Sequence, residues 1–576
     1  MKKNPKNLAP SFKDLEKLKE LRFRNKFFKN HANVLELFLK TARANEEKIA
    51  IEFDGLKISY AKLLADISIL RLPNLEKNSI VAIVKANKYK EIVALLALLF
   101  ASYIPIIVTK KMPKKQKEYL KNLVAYNFNP NKQEDEGSIQ ASTLEYDSNN
   151  DFGSLFFSSN STKKSPKLIL TSQRTIVHFC LWQASCVVKT ENRFAQLSPT
   201  TSDIYLRELF TCFLSASCLV LPSKEEKKDI LTFLELKKIT ILNTVPSLLS
   251  SYLDKLRKRQ VNSYLRFVFF SGERFSSELA KTCEHFCIKD VKIFNLYGLS
   301  EIGLAKIFYM YKTDFKGTYL PLTKSLSKSE YFVEKNRILI KTLFGTYGYI
   351  NEQNKDFLWR DNGYLIYKTR DLASVSKGSK NLFINSKLEN QKKISGKKIN
   401  LEFYEDTLKL ALNTKIFALI FHKKKLRVFT DFKNNEVLLK TLSKHLPKNT
   451  QGAIFKIKRL SLNPQGKLDR KALANIPKDL KKNIKKNAVK KAKFKNIIID
   501  ILKTKNFKLD DDFLSLIKNP SSCSLLANAL SKAYKKDITI EHIAKYSSLR
   551  DLKNSLKNRP FKKDLPVKGL NPNSLN

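Results

Sequence analysis

The sequence is short of glycine, of acidic residues and of paired cysteines. Only 15 of its 576 residues are glycine, and 7 are cysteine. An odd number of widely spaced cysteines excludes the disulfide framework of a small secreted protein and favours a reducing compartment. Residues 1–20 contain no continuous apolar segment, so they do not predict a secretory signal peptide. We therefore expect a cytoplasmic protein.

Acidic residues are about half as frequent as basic ones. The chain has 107 Lys and Arg against 54 Asp and Glu, a formal net charge of +53. Such an excess could serve a nucleic acid, a membrane surface or a nucleotide. Lysine is spread along the whole chain rather than gathered in one stripe, which favours a general compositional bias over a nucleic-acid surface. The apolar share of 43% is sufficient for packed cores.

Long hydrophobic runs and clustered metal ligands are also scarce. The run "IVALLALLFASYIPIIV" (92–108) is interrupted by Pro105 and is short for a membrane span, which needs about 20 residues. It is better explained as a buried helix that leads into a buried strand. "CEHFC" (283–287) lacks a nearby fourth ligand for zinc, so we interpret it as one face of a helix. We predict no membrane span and no nucleic-acid partner.

Apolar strands alternate with helical segments from residue 34 to about residue 330. Alternation of this kind predicts an α/β domain with mostly parallel sheets. Asp54-Gly55 between two short strands predicts a β-hairpin. Short strands and turns follow, then a small α+β unit that extends to about residue 478, a lysine-rich linker and a small helical unit.

Four polar stretches could carry chemistry. They are "FFSSNSTKKSPKLIL" (156–170), "NLYGLSEIG" (295–303), "YKTRDLAS" (367–374) and "LNPQGKLDRKALA" (462–474). The first has hydroxyls and a lysine that could hold phosphate, although a polar turn explains it equally well. The second follows a buried strand, where α/β folds bind ligands, and offers a tyrosine for a base and a carboxylate for a metal ion.

In this order and at these separations, the stretches resemble the motifs of the adenylate-forming (AMP-binding) ligase superfamily. The resemblance is greatest to the adenylation domains of nonribosomal peptide synthetases and to D-alanine–carrier-protein ligases. It covers roughly residues 34–478, and "SGERFSSEL" (271–279) and "GYINEQ" (348–353) match further signatures. The Gly-Lys-x-Asp-Arg-Lys run is its most specific part, because it is typical of members that activate amino acids.

The resemblance implies a large N-terminal domain of mostly parallel sheets flanked by helices, a small α+β C-terminal subdomain and a small four-helix carrier-like domain. The expected segments in chain order are an N-terminal extension at 1–33, the large adenylation domain at 34–388, the small mobile subdomain at 389–478, a linker at 479–493, the carrier-like domain at 494–558 and a tail at 559–576.

The implied reaction has two steps: ATP and a carboxylate give an acyl adenylate, and a thiol then takes the acyl group. Lys467 would contact both the carboxylate and the α-phosphate, Glu301 would bind Mg²⁺, and Glu389 would be the hinge between the two domains. The residues that the resemblance assigns to ATP are Ser158, Ser161, Thr162, Lys167, Asn295, Tyr297, Gly298, Ser300 and Asp371. Among these, Tyr297 would pack against adenine and Asp371 would bind the ribose.

"TTSDIYLRELF" (200–210) aligns with the substrate-pocket motif of amino-acid-activating members. There Asp203 would pair with the α-ammonium group of the substrate, although Ser202-Asp203 is also a common helix-capping pattern. The residues that would line the side-chain pocket are Ile204, Arg207, Ser271 and Leu296. They do not identify the amino acid.

Residues 513–556 resemble a peptidyl or acyl carrier protein. The serine that carries 4′-phosphopantetheine in that family falls at Ser524, but Cys523 stands where the family has aspartate. A simple helix cap at Ser521 or Ser522 is the alternative. If the resemblance holds, a phosphopantetheinyl transferase and a separate carrier protein are possible partners.

Several glycines of the family pattern are missing. Asn160 and Lys163 stand in the phosphate loop, and Arg370, which could pair with Asp371, stands in the Thr-Gly-Asp motif. The residues expected to take part in the chemistry are present, which favours an active enzyme. Our main hypothesis is an ATP-dependent amino-acid-activating ligase. The alternatives are a fatty or aryl acid–AMP ligase and a catalytically silent scaffold that binds nucleotide or a carrier partner.

Overall fold

The computed structural model divides the chain into two compact units, Met1–Asn475 and Ile476–Asn576. The residues that it describes are 33–84, 86–132, 138–140, 144–158, 167–187, 191–256, 263–351, 354–360, 362–376, 378, 381–388, 391–394, 397–412, 414, 417–422, 425–445, 453–457, 461, 468–476, 498, 501, 525–527, 529–531, 538 and 548–555.

Helices occur throughout the first unit and again near the end of the second. In chain order they are α1 (Val34–Arg43), α2 (Tyr60–Ser68), α3 (Lys88–Phe100), α4 (Lys114–Leu120), α5 (Gln173–Cys186), α6 (Asp203–Leu214), α7 (Ile230–Leu236), α8 (Pro246–Leu256), α9 (Ser277–Phe286), α10 (Leu401–Leu412), α11 (Asn435–His445), α12 (Arg470–Ala474) and α13 (Leu549–Ser555). A short 3-10 helix spans Glu226–Lys228.

The strands that the structure describes lie in the first unit. They are β1 (Ile49–Phe53), β2 (Leu56–Ser59), β3 (Arg71–Pro73), β4 (Ile80–Val84), β5 (Ile104–Val108), β6 (Tyr126–Phe128), β7 (Ser138–Gln140), β8 (Phe152–Phe157), β9 (Leu168–Ser172), β10 (Arg193–Ala195), β11 (Cys218–Leu221), β12 (Ile241–Thr244), β13 (Phe267–Ser271), β14 (Lys292–Gly298), β15 (Ala305–Met310), β16 (Lys324–Ser325), β17 (Ser329–Glu334), β18 (Arg337–Thr342), β19 (Gly348–Tyr349), β20 (Phe357–Trp359), β21 (Leu365–Val375), β22 (Leu382–Lys387), β23 (Gln391–Ile394), β24 (Lys397–Asn400), β25 (Phe417–His422), β26 (Lys425–Thr430) and β27 (Ile454–Lys456).

The main sheet has nine strands in the order β16-β15-β14-β13-β12-β10-β11-β1-β2. Its central strands, from β14 to β1, are parallel, and antiparallel strands complete both edges. Phe267 and Phe269 of β13 belong to one hydrophobic core, whereas Val268 and Phe270 belong to another. Both faces are therefore covered, which explains why the strand reads as a continuous apolar run.

Helices pack on both faces of this sheet. The core on one face contains buried residues of α1, α2, α3, α5 and α6, and the core on the other face contains residues of α7, α8 and α9. A separate parallel sheet has the order β5-β4-β6. The predicted α/β class with helix-flanked parallel sheets is confirmed.

Antiparallel pairing is more extensive than the sequence pattern indicated. Strands β17, β18, β20, β21 and β22 form an antiparallel sheet of five strands, and β8, β9 and β19 form another of three. The alternating buried and half-buried residues of β18 suit a sheet with one more accessible side.

Local sequence signals explain several boundaries. Asp54 and Gly55 have φ values of 47° and 82°, as the predicted hairpin between β1 and β2 requires. The side-chain oxygens of Asn33, Asn87 and Ser172 accept bonds from backbone N–H groups at the starts of α1, α3 and α5. These caps fix the beginnings of the three helices.

The apolar run at 92–108 is part of the core. It contributes most of α3 and all of β5, and β5 pairs in parallel with β4. The prediction of a buried helix that leads into a buried strand is correct. Within the part of the chain that the structure describes, no helix combines the length and apolarity that crossing a bilayer requires.

Residues 401–474 include a small α+β portion with its own core. β25 and β26 are antiparallel, β27 pairs in parallel with β26, and α10 and α11 supply buried leucines. Arg470 donates bonds of 2.6 and 2.8 Å to the two carboxylate oxygens of Glu405. This bidentate pair anchors the start of α12 to α10.

In the second unit the structure describes α13 and a few residues before it. Leu526, Leu530, Leu549 and Leu552 are buried. The predicted four-helix carrier-like arrangement and the proposed domain boundaries stay predictions.

Candidate active site

The candidate site begins where β14 ends at Gly298. A Cβ atom at Gly298 would lie 2.2 Å from the carbonyl oxygen of Leu304, so only glycine fits this close backbone approach. The turn that follows carries Ser300 and Glu301, both half-buried. The sequence predicted this location from the rule that ligands bind beyond the carboxyl ends of parallel strands.

Tyr297 and Asp371 lie together in the folded chain. The Tyr297 hydroxyl donates a 2.8 Å hydrogen bond to Oδ2 of Asp371, and both side chains are buried. Burial raises the pKa of Tyr297, and the neighbouring Asp371 carboxylate raises it further, so Tyr297 stays a hydrogen-bond donor. Two of the residues predicted to bind ATP thus hold each other in place.

The side chain of Asn295, near the end of β14, bonds to neighbouring backbone carbonyl groups. Its Nδ2 donates to the carbonyl oxygens of Leu320 and Pro321 at 3.2 and 3.1 Å. Both bonds bind β14 to the segment that leads into β16. The side chain of this predicted ATP-binding residue therefore fixes the local backbone.

Glu301 accepts hydrogen bonds at its side chain and at its backbone. Tyr349 donates to Oε1 at 2.8 Å, and the Thr346 hydroxyl donates to the backbone carbonyl at 2.5 Å. Burial raises the pKa of Glu301, the Tyr349 bond opposes that effect, and the charge of Asp203 reinforces it. The carboxylate is consequently positioned and electrostatically coupled to the start of α6.

The segment predicted as a phosphate loop is bounded by an antiparallel pair. β8 and β9 pair with each other, and the Ser158 N–H donates to the Lys167 carbonyl at 2.9 Å. Nζ of Lys167 lies 4.6 Å from the centre of the Tyr349 ring. Ser161 and Thr162 lie outside the described residues, together with Asn160 and Lys163.

Tyr349 is a site residue that the sequence reasoning missed. It contacts Glu301 directly and Lys167 through its ring, and thereby joins two of the motifs. The match of "GYINEQ" to a family signature could have pointed to it, but no role was assigned to its tyrosine.

A buried ion pair beside β8 was missed as well. Arg174 forms an ion pair with Asp151, which also accepts a 2.8 Å bond from the Tyr347 hydroxyl. Arg174 donates a 3.2 Å bond to the Gly345 carbonyl. This cluster binds the start of α5 to the segment that precedes β19, next to the candidate site.

Asp203 is the first residue of α6 and is almost fully buried. Ser202 occupies the N-cap position, but its side chain makes no capping bond. The charge of Asp203 acts on Glu301 and on Arg207. The proposed ammonium-binding carboxylate and the proposed metal-binding carboxylate therefore lie in one electrostatic neighbourhood.

Three of the predicted pocket residues, Arg207, Ser271 and Leu296, lie close together. Nη1 of Arg207 donates to the Ser271 hydroxyl at 3.3 Å, and Ser271 is paired in register with Leu296 on the neighbouring strand. All three are buried. Ile204, the fourth, is half-buried on the first turn of α6.

Arg370 does not pair with Asp371. Adjacent residues of a strand point to opposite faces, and Arg370 is exposed while Asp371 is buried. The suggestion of an Arg370–Asp371 ion pair is wrong for this reason. Arg370 therefore replaces the glycine of the family pattern without entering the site.

Several predicted site residues cannot be placed. Lys467, Glu389 and Ser524 lie outside the described residues. Arg470, in the same motif as Lys467, is the arginine of the bidentate pair with Glu405 described above.

Comparisons with known proteins identify the class of this domain. Residues 108–323 match the family described as "AMP-binding enzyme". The chain is 22% identical to bacitracin synthase 2 of Bacillus licheniformis over 90% of its own length and 21% of that protein's length. It is 25% identical to the D-alanine–D-alanyl carrier protein ligase of Staphylococcus epidermidis, over 57% of this chain and 72% of that one.

Among solved structures, NpsA of Klebsiella oxytoca in complex with 3-hydroxyanthranilyl-AMSN is similar, with a TM-score of 0.63 and 19% identity. That match covers 77% of this chain and 99% of NpsA, and at this identity it establishes the fold alone. The match of residues 108–323 to AMP-binding enzymes, together with these relatives, agrees with the resemblance that the motifs indicated. It spans only about a fifth of the length of the large synthases it matches, at 21% and 19% of the first two.

Proposed function

We propose that this protein activates an amino acid with ATP as an aminoacyl adenylate and transfers the aminoacyl group to a phosphopantetheine thiol. The observation that carries the proposal is the convergence of Asp203, Glu301 and the Tyr297–Asp371 pair around the end of β14. A carboxylate for an ammonium group, a carboxylate for a metal ion and a buried tyrosine–aspartate pair suit an amino acid and a nucleotide bound side by side.

In the first step, a carboxylate oxygen of the amino acid attacks the α-phosphorus of ATP. A new P–O bond forms, the bond between the α-phosphorus and the bridging oxygen breaks, and pyrophosphate leaves. Both reactants are anionic, so the protein's contribution is positioning and charge stabilisation. Lys467 would contact the carboxylate and the α-phosphate, and Ser158, Ser161, Thr162 and Lys167 would hold the other phosphates.

The nucleoside would bind beside β14 and β21. Tyr297 would pack against adenine, and Asp371 would accept bonds from the ribose hydroxyls. Asn295, Gly298 and Ser300 would shape the strand end that the nucleotide contacts. Because Tyr297 already donates to Asp371, the two groups are oriented before ATP arrives.

The residues present fit a Mg²⁺ ion that arrives with ATP. Tyr349 donates to Oε1 of Glu301 and positions a carboxylate that could hold a cation. No cluster of three or more His, Cys, Asp or Glu occurs among the described residues, and Mg²⁺ in nucleotide sites is commonly held by one or two carboxylates and the phosphates. When bound, Mg²⁺ would neutralise phosphate charge.

Asp203 would bind the α-ammonium group of the amino acid. Its position on the first turn of α6, almost fully buried, suits a carboxylate that pairs with one cation rather than with solvent. Pairing with Asp203 would favour amino acids over fatty and aryl acids, which lack an α-ammonium group.

In the second step, the thiol sulfur attacks the acyl carbon. A thioester bond forms, the acyl–phosphate bond breaks, AMP leaves, and the thiol proton is released. The thiol would belong to 4′-phosphopantetheine on Ser524 or on a separate carrier protein, and the relative whose name includes a carrier protein supports this choice. Rotation about Glu389 would move Lys467 away between the two steps.

ATP–pyrophosphate exchange across a panel of amino acids and aryl and fatty acids tests the first step. We expect exchange that requires an amino acid, and the same rate in Arg43→Gln, a variant of an exposed residue at the end of α1. Exchange only with acids that lack an α-amine would support the alternative ligase. ATP binding without exchange by any acid would support the silent scaffold and refute the proposal.

The intact mass of the protein after coexpression with a phosphopantetheinyl transferase tests the carrier role. We expect the parent to gain one phosphopantetheine and Ser524→Ala to gain none. An unmodified parent would show that the thiol belongs to a separate carrier.

A further inference from the structure

The predicted pocket contains an arginine with two unpaired donors. Arg207 lies one helical turn beyond Asp203 on α6 and is only 2% exposed. Nη1 donates to Ser271, but Nε and Nη2 have no hydrogen-bond partner among the described residues. A buried charge without partners is costly, so its retention calls for a ligand or a compensating group.

The nearest acid on the same helix, Glu208, acts on Arg207 through its charge, but its hydrogen bonds go to other groups. The Glu208 carboxylate accepts bonds from the Ser198 hydroxyl at 2.7 Å, from the Ser198 N–H and from Gln196. These partners occupy both of its oxygens. Burial raises the pKa of Glu208 to about 7, so its negative charge is itself weakened. Asp203 acts on Arg207 through its charge, one turn away.

A second buried cation lies in the same region. Lys306 on β15 is fully buried, and its Nζ has no hydrogen-bond partner among the described residues. The charges of Lys306 and of Arg207 both act on the Cys180 thiol on α5. Arg174 is also close enough to disfavour the charge on Lys306. Arg207 and Lys306 therefore lie in one electrostatic neighbourhood, in which the charges of Glu208 and Asp203 act on Arg207.

The unpaired edge of Arg207 has the geometry for a carboxylate. Nε and Nη2 form one side of the planar guanidinium group, and their two parallel N–H bonds match the two oxygens of a single carboxylate. The Phe179 ring, 5.6 Å from the guanidinium carbon, packs against the group from another side. The arginine is thus held by Ser271 and Phe179, with one bidentate edge available.

The spacing on α6 defines the size of the ligand. Residues 203 and 207 are four positions apart, which is about 6 Å along a helix. An amino acid whose ammonium group pairs with Asp203 would bring a carboxylate one or two carbons along its side chain toward Arg207. A longer basic or a purely apolar side chain would leave both unpaired donors buried without a partner.

We propose that the amino acid activated by this protein has an acidic side chain, of the aspartate or glutamate type, whose carboxylate binds the Nε–Nη2 edge of Arg207. Ser271 orients the guanidinium group, and the buried Lys306 lies close enough to act on the same Cys180 thiol as Arg207. This inference rests on the proposed function, because it names the substrate of the same site.

Exchange measured with acids and their amides tests the inference directly on the unmodified protein. We expect kcat/KM for aspartate or glutamate to exceed that for the matching amide, asparagine or glutamine, by at least about 100-fold, since a site built around a charged donor rejects a ligand that cannot pair with it. Equal or better use of an amide or an apolar amino acid would overturn the acidic assignment while leaving amino-acid activation intact. Exchange with no amino acid would refute the proposed function itself.

Variants of Arg207 test whether this residue is responsible. Arg207→Met should lower kcat/KM for the acid by about 100-fold and so reduce the ratio of kcat/KM for the acid to kcat/KM for the amide. Arg207→Lys should retain part of this ratio because the positive charge remains. Arg43→Gln, which also removes one positive charge, should leave the ratio unchanged. An unaltered ratio in Arg207→Met would overturn the role of this residue.

A binding measurement covers the case in which Arg207→Met fails to fold. Calorimetric titration of the parent with aspartyl- and asparaginyl-sulfamoyladenosine should show tighter binding of the aspartyl compound by at least about tenfold, as one paired buried carboxylate implies. Equal affinities would contradict the inference without any substitution.

Discussion

The two sides of the candidate site differ in how their polar groups are satisfied. On the nucleotide side (Asn295, Tyr297, Glu301, Tyr349 and Asp371), side chains bond to one another or to backbone carbonyls. On the acyl side (Asp203, Arg207, Ser271, Leu296 and Lys306), two buried cations keep nitrogens without partners among the described residues. Under the proposed function the nucleotide would be the constant reactant, so its side could be fully organised in advance, whereas the acyl side would keep charge for one class of substrate.

The largest expected effect comes from removing the carboxylate charge on the nucleotide side. Glu301→Gln keeps the shape and the bond from Tyr349 but removes the charge that would hold Mg²⁺, so kcat/KM for exchange should fall by about 100-fold or more. Steady-state exchange kinetics check this, with Glu278→Gln on the exposed side of α9 as the matched control. Activity within threefold of the parent, on the order of noise for such assays, would rule out a metal-binding role for Glu301.

Removing an unpaired cation on the acyl side should stabilise the fold. Lys306→Met replaces a buried ammonium group with an apolar side chain of similar length, and we expect the free energy of unfolding near pH 6 to rise by about 1–4 kcal/mol. Denaturant unfolding measures it, and Lys324→Met, at an exposed position of β16, is the control. A less stable Lys306→Met variant would mean that Lys306 has a structural partner.

The same variant should change how stability depends on pH. Burial lowers the pKa of Lys306 to about 7 from its ordinary 10.5, so between these two values the unfolded chain binds more protons than the folded one. The destabilisation caused by this group is therefore complete below about pH 7 and is relieved as the pH rises from about 7 to about 10.5. The advantage of Lys306→Met should accordingly shrink between pH 6 and pH 9.

Removing a hydrogen-bonded group on the nucleotide side should destabilise the fold, in contrast to the stabilisation expected for Lys306→Met. Tyr297→Phe leaves the buried Asp371 without its tyrosine donor and should lower the free energy of unfolding by about 1–3 kcal/mol. It should also raise KM for ATP. Urea unfolding and exchange kinetics check both effects against Tyr264→Phe, which alters an exposed tyrosine. Unchanged stability would show that the hydroxyl pair contributes nothing to the fold.

The smallest expected effect is a shift in the acid limb of activity. The Tyr349 bond lowers the pKa of Glu301 against the effect of burial, so Tyr349→Phe should raise that pKa. Glu301 must be ionised to hold a cation, so the acid limb of kcat/KM should move to higher pH by up to about one unit. Profiles from pH 5 to pH 9 would show this, with rates near those of the parent on the alkaline side. If the acid limb of kcat/KM does not move, the group that titrates there is not Glu301.

The sequence alone was sufficient for the family, the α/β class and most strand and helix positions. Apolar periodicity, the Asp54-Gly55 turn and the motif order are properties of the sequence itself, so they can be recognised without knowledge of the tertiary fold. For the same reason, the run at 92–108 was correctly separated from a membrane span.

Contacts between distant segments were decided by the tertiary structure. Tyr349 and Glu301 are 48 residues apart, and Tyr297 and Asp371 are 74 apart, so no local pattern marks either pair. Lys306 looks like an ordinary lysine in a strand, and only its position near Arg174 and Cys180 of α5 makes it a buried, unpaired cation. Arg370 was misjudged because its orientation depends on which face of β21 is covered. The sequence by itself determined which chemical groups are available, and the packing of sheets and helices determined which of them are paired, because burial and partner distance arise only when segments far apart in the chain come together.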